Sequence, residues 1–433
     1  MVNNINKNII DKITTNTIFT IIILSLIFTR SFFGLTIFGF RLGELFVAFG
    51  LVLLIFFSFL HLVNKGNFDT FPFKSFYIFI IFFMTALFFN DGSLFSLYTY
   101  KSSSFIWMIG YIFVGYYFFQ NIEIKKLHIY ILIATPYVIY LFNSGNYPNI
   151  VMEFFFTYSD KFQFMKGSDV LMAFIFCLFI IKDKLSDERY MVYLNITGGL
   201  LLPIFLTLSR ASFFSGLLFL IITNLSLKEV VKRDIKKYIL LILFSSFIFI
   251  LSAIRLAALP EFENQTNPEP LNIVQESVNE VIIRKNTNKF FLGFYFCERR
   301  LCSKDNTLDW RLDIWSDLVN DQIDKNKLIY GFGFNEIFEV MKDPNAPGRL
   351  GRDGLNENVH NHIFTIIGRM GILGLISYLF FQIKLISPLK SNIYIFLLPL
   401  FLVSAFDTTM ESVQFPLLYY FLISRHYSQS KNL

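Results

Sequence analysis

The stretch YILLILFSSFIFILSA, residues 238–253, contains no charged residue and decides the class of this protein. A helix needs roughly 17 to 25 mostly apolar residues to cross the hydrocarbon of a bilayer, and this run comes close to that length. Similar runs recur along the 433 residues, of which 54% are hydrophobic and only 16% are charged. Soluble domains carry about a quarter charged residues, so the composition excludes a soluble globular protein.

Counting such runs predicts an all-α polytopic membrane protein with about twelve transmembrane helices. The predicted spans are Thr17–Ile37, Leu42–Val63, Phe71–Phe89, Ser103–Phe119, Leu127–Phe142, Ser168–Ile181, Tyr190–Leu206, Ala211–Leu225, Tyr238–Ala253, His360–Phe381, Asn392–Phe406 and Gln414–Ile423. The first span follows Lys7 and Lys12, as a signal peptide would. No small-residue cleavage pattern follows it before Arg30, so we expect a retained anchor.

The short connections divide unequally in charge. Eighteen Lys and Arg residues fall on the side of the termini and six on the other side. The positive-inside rule then predicts that both termini are cytoplasmic. We expect helices 1–9 in residues 1–254, one large periplasmic loop module in residues 255–359, and helices 10–12 with a cytoplasmic tail in residues 360–433.

The formal net charge of +6 does not indicate a nucleic-acid partner, because the basic residues are scattered among membrane connections. Three cysteines are too few for a disulfide framework. Cys177 lies in an apolar run. Cys297 and Cys302 share the loop module, where they could pair or remain two separate small hydrophobic residues.

The loop module is predicted to contain one amphipathic helix, from Thr307 to Asn326. An apolar stripe repeats at helical spacing, and its aromatic residues suit a helix resting on the membrane interface. The stripe consists of Trp310, Ile314, Trp315, Leu318 and Val319.

Arg210 stands in a short external turn, Leu-Ser-Arg-Ala-Ser at residues 208–212. One interpretation is a snorkelling side chain that contacts lipid phosphate. The other is an anion clamp, because a guanidinium presents a planar fork of donors to a diphosphate. Ser209 and Ser212 could add hydroxyl donors.

Arg311 lies near the start of the predicted module helix, where free N–H groups favour an anion. Its alternative is a salt bridge to Asp309 or Asp313. Those two carboxylates could also share a divalent cation, although no third carboxylate accompanies them.

His360 belongs to the segment Asn-Val-His-Asn-His at residues 358–362, which precedes an apolar helix. A helix start, with Asn356 or Asn358 as cap, would lower the pKa of an imidazole and keep its base form available. The alternative is an interfacial histidine hydrated by water. His362 is two residues away, and no cysteine or glutamate completes a zinc pattern, so we expect no metal.

Several glycines recur nearby. Gly368, Gly371 and Gly374 are typical of tight helix packing, and Gly331 with Gly333 indicates a turn.

In this order, the Arg210 turn, the Asp-Trp-Arg start at residues 309–311, Gly-Phe-Gly at 331–333, and His360-Asn361 followed by Gly371 and Gly374 resemble the O-antigen ligase and O-antigen polymerase family. The resemblance covers about residues 206–375. It implies an inner-membrane glycosyltransferase that takes its glycan from an undecaprenyl-diphosphate carrier at the periplasmic face, without metal or cofactor.

Carried over to matching positions, the resemblance implies that Arg210 and Arg311 bind the diphosphate and that His360 is the catalytic base. Asn361 would orient or bind the substrate, with Ser209, Ser212, Arg299 and Arg300 as further contacts. A solvated basic pair is the alternative for Arg299 and Arg300.

Two activities share the motif. A polymerase joins carrier-linked repeat units of O-antigen, capsule or exopolysaccharide, whereas a ligase passes finished polymer to lipid A core. We expect a polymerase, whose partners are the lipid-linked glycan, a glycan acceptor and membrane lipids. A lipid-linked oligosaccharide flippase is the rival from another class, and it predicts ionisable groups near the bilayer midplane.

Overall fold

The computed structural model describes residues 16–63, 71–121, 124–160, 165–258, 293–297, 300–343, 349, 357–389 and 393–430. Eighteen α-helices and two small hairpins are described in these ranges. Helices α1–α9 are Asn16–Ile27, Thr29–Phe33, Leu42–Leu62, Phe73–Phe88, Leu97–Ser102, Ser104–Trp107, Tyr111–Asn121, Lys126–Asn143 and Asn149–Tyr158. Helices α10–α18 are Gly167–Ile181, Asp187–Leu208, Arg210–Ser226, Lys228–Arg233, Ile235–Ala257, Asn306–Asp324, His362–Ile386, Tyr394–Ser404 and Gln414–Ser430.

Helices lie at all twelve predicted spans. Four of them, α3, α11, α14 and α16, are long and apolar enough to cross a bilayer by length and composition alone. Shorter apolar helices include α1, α4, α12, α17 and the segment Ser104–Gln120. The chain is therefore a helical membrane protein, and the number of crossings stays a prediction. The first span is shorter than predicted, because α1 ends at Ile27. The short helix α2 follows it, and then a hairpin of β1 (Thr36–Ile37) with β2 (Phe40–Arg41).

Helix α10 forms the centre of the bundle. Every one of its fifteen residues is buried, and α8, α11, α12, α17 and α18 surround it. The sequence explains this position, because an apolar helix without a polar face has to be covered on all sides. By contrast, α3 and α14 bury little of their apolar surface within the chain, as expected for helices that face lipid.

The loop module carries the second hairpin, β3 (Phe294–Cys297) with β4 (Arg300–Ser303), and then α15. Cys297 and Cys302 form a disulfide across this hairpin, with their Cα atoms 5.9 Å apart. Helix α15 matches the predicted helix closely, but its stripe does not rest on lipid. Ile314, Trp315 and Leu318 are buried in a small core with Phe338, Met341 and Val359.

Helix α16 is broken at Gly371, where φ is 68° and ψ is −170°. The His362 Nε2 atom lies 3.0 Å from the Tyr378 hydroxyl, although sixteen residues of straight helix would separate them by about 24 Å. The chain therefore turns back sharply at Gly371, which brings the start of the first arm (residues 362–370) to Tyr378 in the second arm (372–386). The span predicted for His360–Phe381 is therefore broken at Gly371 and is not one continuous helix.

The glycine motifs explain the reversal. Ile372 N and Leu373 N bond to Leu328 O and Ile329 O, and Phe332 N and Gly333 N bond to Gly368 O and Arg369 O. A Cβ atom on Gly371 would come within 2.1 Å of Ile329 O, and one on Gly331 within 2.4 Å of the Arg369 backbone. The two glycine motifs thus pack against each other.

Candidate functional site

One end of the bundle gathers polar side chains from five separate connections. They include Arg30 after α1, Lys166 before α10, Arg210 before α12, the loop module, and Asp407 between α17 and α18. Helices α10, α12, α15 and α16 all begin at this end. Their N-terminal N–H groups add partial positive charge, which favours an anionic ligand.

Arg210 contacts a carboxylate of the loop module. Its Nη1 atom lies 2.5 Å from Asp305 Oδ2, and the Arg210 side chain keeps 34% of its surface exposed. Asp305 is the N-cap of α15, since its Oδ1 accepts the Leu308 N–H at 2.8 Å. This ion pair joins the bundle to the module at the level of the site.

Arg311 lies nearly two turns after Asp305 along α15, and its side chain extends to the segment between α17 and α18. It donates from Nη1 to the backbone oxygen of Phe406 at 2.6 Å, and its Nε atom is buried without a hydrogen-bond partner among the described residues. Burial lowers the pKa of Arg311, against the charges of Asp407 and Asp305. The expected alternative partners, Asp309 and Asp313, bind Arg300 instead.

Asp407 is a buried anion of the cluster. It accepts a hydrogen bond from Ser168 Oγ at 2.7 Å, and Lys166 Nζ lies 3.5 Å away. Although burial acts to raise it, the charges of Lys166 and Arg311 and the Ser168 hydrogen bond hold the pKa of Asp407 below its ordinary value. The carboxylate therefore stays ionised and balances part of the surrounding positive charge.

His360 precedes α16 and lies beside these charges. Its backbone is in the left-handed region with φ 54°, a strained conformation for a non-glycine residue that is typical of functional sites. The ring packs against Trp310 with 5.0 Å between centroids. Burial, followed by the charges of Lys166 and Arg311, lowers the pKa of His360 to about 3. The imidazole is therefore neutral at ordinary pH, because of burial and the neighbouring cations.

Asn361 fixes the backbone next to His360. It is the N-cap of α16, a place expected for Asn356 or Asn358. Its Oδ1 accepts the Phe364 N–H at 3.1 Å, and its Nδ2 donates to Ala405 O at 2.6 Å. Since the side chain is buried and fully engaged, it ties the His360 turn to the segment that carries Asp407.

His362 forms a buried network of its own. Its Nδ1 lies 2.8 Å from Glu411 Oε1, and its Nε2 contacts Tyr378. The network therefore fastens the segment between α17 and α18 to both arms of α16.

Ser209, Ser212, Arg299 and Arg300 were also predicted to contact the substrate. Ser209 caps α12 by accepting the Ser212 N–H, and the Ser212 side chain is fully buried beside Gly167. Arg300 binds Asp309 through two hydrogen bonds and Asp313 through an ion pair. The hairpin and α15 are thus held together by Arg300. Arg299 lies outside the described residues.

The structure thus brings Arg210, Arg311 and His360 to the same end of the bundle, together with Asn361. Residues 197–379 match a family model described as O-antigen ligase. These residues are therefore similar to the O-antigen ligase family. The match confirms the resemblance drawn from the Arg210 turn, His360-Asn361 and the glycines, and it covers all of those motifs. No curated protein matches the chain.

Four further residues of this cluster were not predicted as site residues from the sequence. They are Arg30, Lys166, Asp305 and Asp407. Arg30 Nε lies 3.8 Å from Asp169 and its charge acts on His360, as that of Lys166 does. The sequence did point to Arg30 and Lys166, because both belong to the six basic residues predicted on the side of the membrane opposite the termini.

Proposed function

We propose that the chain is an inner-membrane glycosyltransferase that polymerises undecaprenyl-diphosphate-linked repeat units of O-antigen, capsule or exopolysaccharide at the periplasmic face. The observation that carries the proposal is the convergence of Arg210, Arg311 and His360 within the residues that are similar to the O-antigen ligase family. A lipid-linked donor has to be met at a membrane surface, where its diphosphate needs cations and its sugar needs a base nearby.

In the proposed reaction, an acceptor hydroxyl attacks the anomeric carbon of the donor sugar. The new bond is carbon to oxygen, the bond from the sugar to the diphosphate breaks, and the electron pair leaves with the diphosphate. Arg210 and Arg311 stabilise the charge that develops on this leaving group. His360 accepts the proton of the attacking hydroxyl.

The charges around His360 couple these steps. In the free protein, Lys166 and Arg311 disfavour a protonated imidazole. A bound diphosphate brings negative charge to the same cations, so it raises the basicity of His360 when the donor is in place. The base is thus strengthened in the complex where it acts.

The ligase activity is the second candidate, because the matching family model is described as O-antigen ligase. Purified protein incubated with undecaprenyl-diphosphate-linked repeat units, with and without lipid A core, distinguishes the two. A polymerase lengthens the carrier-linked glycan without lipid A core. A ligase needs that acceptor and leaves the repeat units unjoined.

The assignment of residues is tested in the same assay with Arg210→Ala, Arg311→Ala and His360→Ala. Each variant is expected to lose about 100-fold or more in rate while inserting normally into membranes. Arg41→Ala is the matched control, because that arginine pairs with Asp160 outside the cluster. Full transfer by the three site variants would refute the proposed roles.

A further inference from the structure

Asp305 occupies the place at Arg210 where an anionic ligand would bind. Its two oxygens have different partners: Oδ1 caps α15 through the Leu308 N–H at 2.8 Å, and Oδ2 lies 2.5 Å from Arg210 Nη1. The carboxylate is 8% exposed, whereas a third of the Arg210 side chain remains exposed. Arg210 is therefore reachable from outside but already holds an internal anion.

The same carboxylate acts electrostatically on the second guanidinium of the site. The charge of Asp305 acts on Arg311, together with that of Asp407. Carboxylate and phosphate oxygens are interchangeable partners of a guanidinium, since both accept its planar fork of donors. Asp305 thus supplies to both arginines the negative charge that a phosphate group would bring.

We propose that Asp305 is an internal ligand of the donor site, which the diphosphate of a polyprenyl carrier displaces from Arg210 when it binds. This inference rests on the proposed function, since it assumes that Arg210 binds the carrier. Displacement does not require α15 to unwind, because Oδ1 can keep its bond to Leu308 while Oδ2 gives up the guanidinium. Asp305 then holds the empty site together and lowers its affinity for the donor.

The test uses the full-length protein in detergent and undecaprenyl diphosphate as the probe, with the dissociation constant measured by titration calorimetry. Asp305→Asn keeps an oxygen for the cap but turns an amide toward Arg210, so the internal competitor is lost. We expect its affinity for the probe to increase about tenfold or more. Asp305→Ser, which is neutral and also caps helices, is expected to show the same direction.

Asp321→Asn is the matched control. It removes the same charge from the same helix, but Asp321 pairs with Lys325 far from the site. An equal gain in this control would reduce the effect to net charge and overturn the proposal, as would weaker or unchanged binding in Asp305→Asn. Arg210→Ala distinguishes a failure of the proposed function from a failure of the role given to Asp305. If that variant binds the probe normally, the proposed function itself fails. If it loses binding while Asp305→Asn gains none, only the role of Asp305 fails.

Discussion

At the scale of single residues, the pH dependence of the reaction depends on His360. Its pKa of about 3 in the free protein results from burial and from Lys166 and Arg311, so the imidazole does not titrate between pH 5 and 8. We predict that kcat/KM, which reports on the free enzyme, shows no loss attributable to a histidine near pH 6.5. An acidic limb at pH 6.5 that disappears in His360→Gln would contradict this.

The substitution Lys166→Met tests the direction in which a neighbouring cation shifts the pKa of His360. Removing a nearby cation favours the imidazolium, so the pKa of His360 should rise and the acidic loss of kcat/KM should begin at higher pH than in the parent protein. Lys325→Met is the control, because Lys325 pairs with Asp321 and Glu339 at the far end of α15. If the pH profile of kcat/KM is unchanged in Lys166→Met, the charge of Lys166 does not act on His360.

At the scale of elements, the periodicity of apolar residues was enough to place α15 and the apolar helices. It could not show that α16 reverses, because a glycine such as Gly371 indicates close helix packing and a chain reversal equally well. The contacts between residues of the site could not be predicted from the sequence for a related reason. Asp407 and Ser168 are 239 residues apart, and Arg210 and Asp305 lie in different modules, so no local spacing links them.

The reversal of α16 makes Gly371 a sensitive position. Alanine at φ 68° and ψ −170° is strained, and its Cβ would overlap Ile329 O. We predict that Gly371→Ala loses more than about 3 kcal/mol of stability, seen as a lower midpoint of thermal unfolding in detergent. Gly39→Ala is the control, since Gly39 also has positive φ but open space around it. Comparable losses in both would reject the close contact as the cause.

His362 and Glu411 should be energetically coupled, because they meet in a buried network that joins α16 to the segment before α18. A double-mutant cycle of His362→Ala and Glu411→Ala, followed by thermal unfolding, is expected to give a coupling energy of about 1–3 kcal/mol. Additive effects would mean that the contact does not stabilise the segment that carries Asp407.

At the scale of the whole molecule, the site combines connections that the charge bias assigns to one side of the membrane. Arg30, Lys166, Arg210 and Asp407 belong to four such connections, and the loop module is the fifth. A site built in this way requires that all five emerge at the same surface. The number of crossings between any two of them must then be even, so α16 and α17 together have to cross the bilayer twice even though α16 is broken at Gly371.

The orientation of the chain can be tested with a membrane-impermeant maleimide. The native cysteines provide a silent background, because Cys177 is buried and Cys297 is paired with Cys302. Ser93 and Lys184 are exposed in connections predicted to lie on opposite sides. In intact spheroplasts, Ser93→Cys should be labelled, since it lies on the same side as the site. Lys184→Cys should be labelled only after permeabilisation, because its connection carries the excess of positive charge. Labelling in the reverse order would place the clustered arginines in the cytoplasm, out of reach of a periplasmic acceptor.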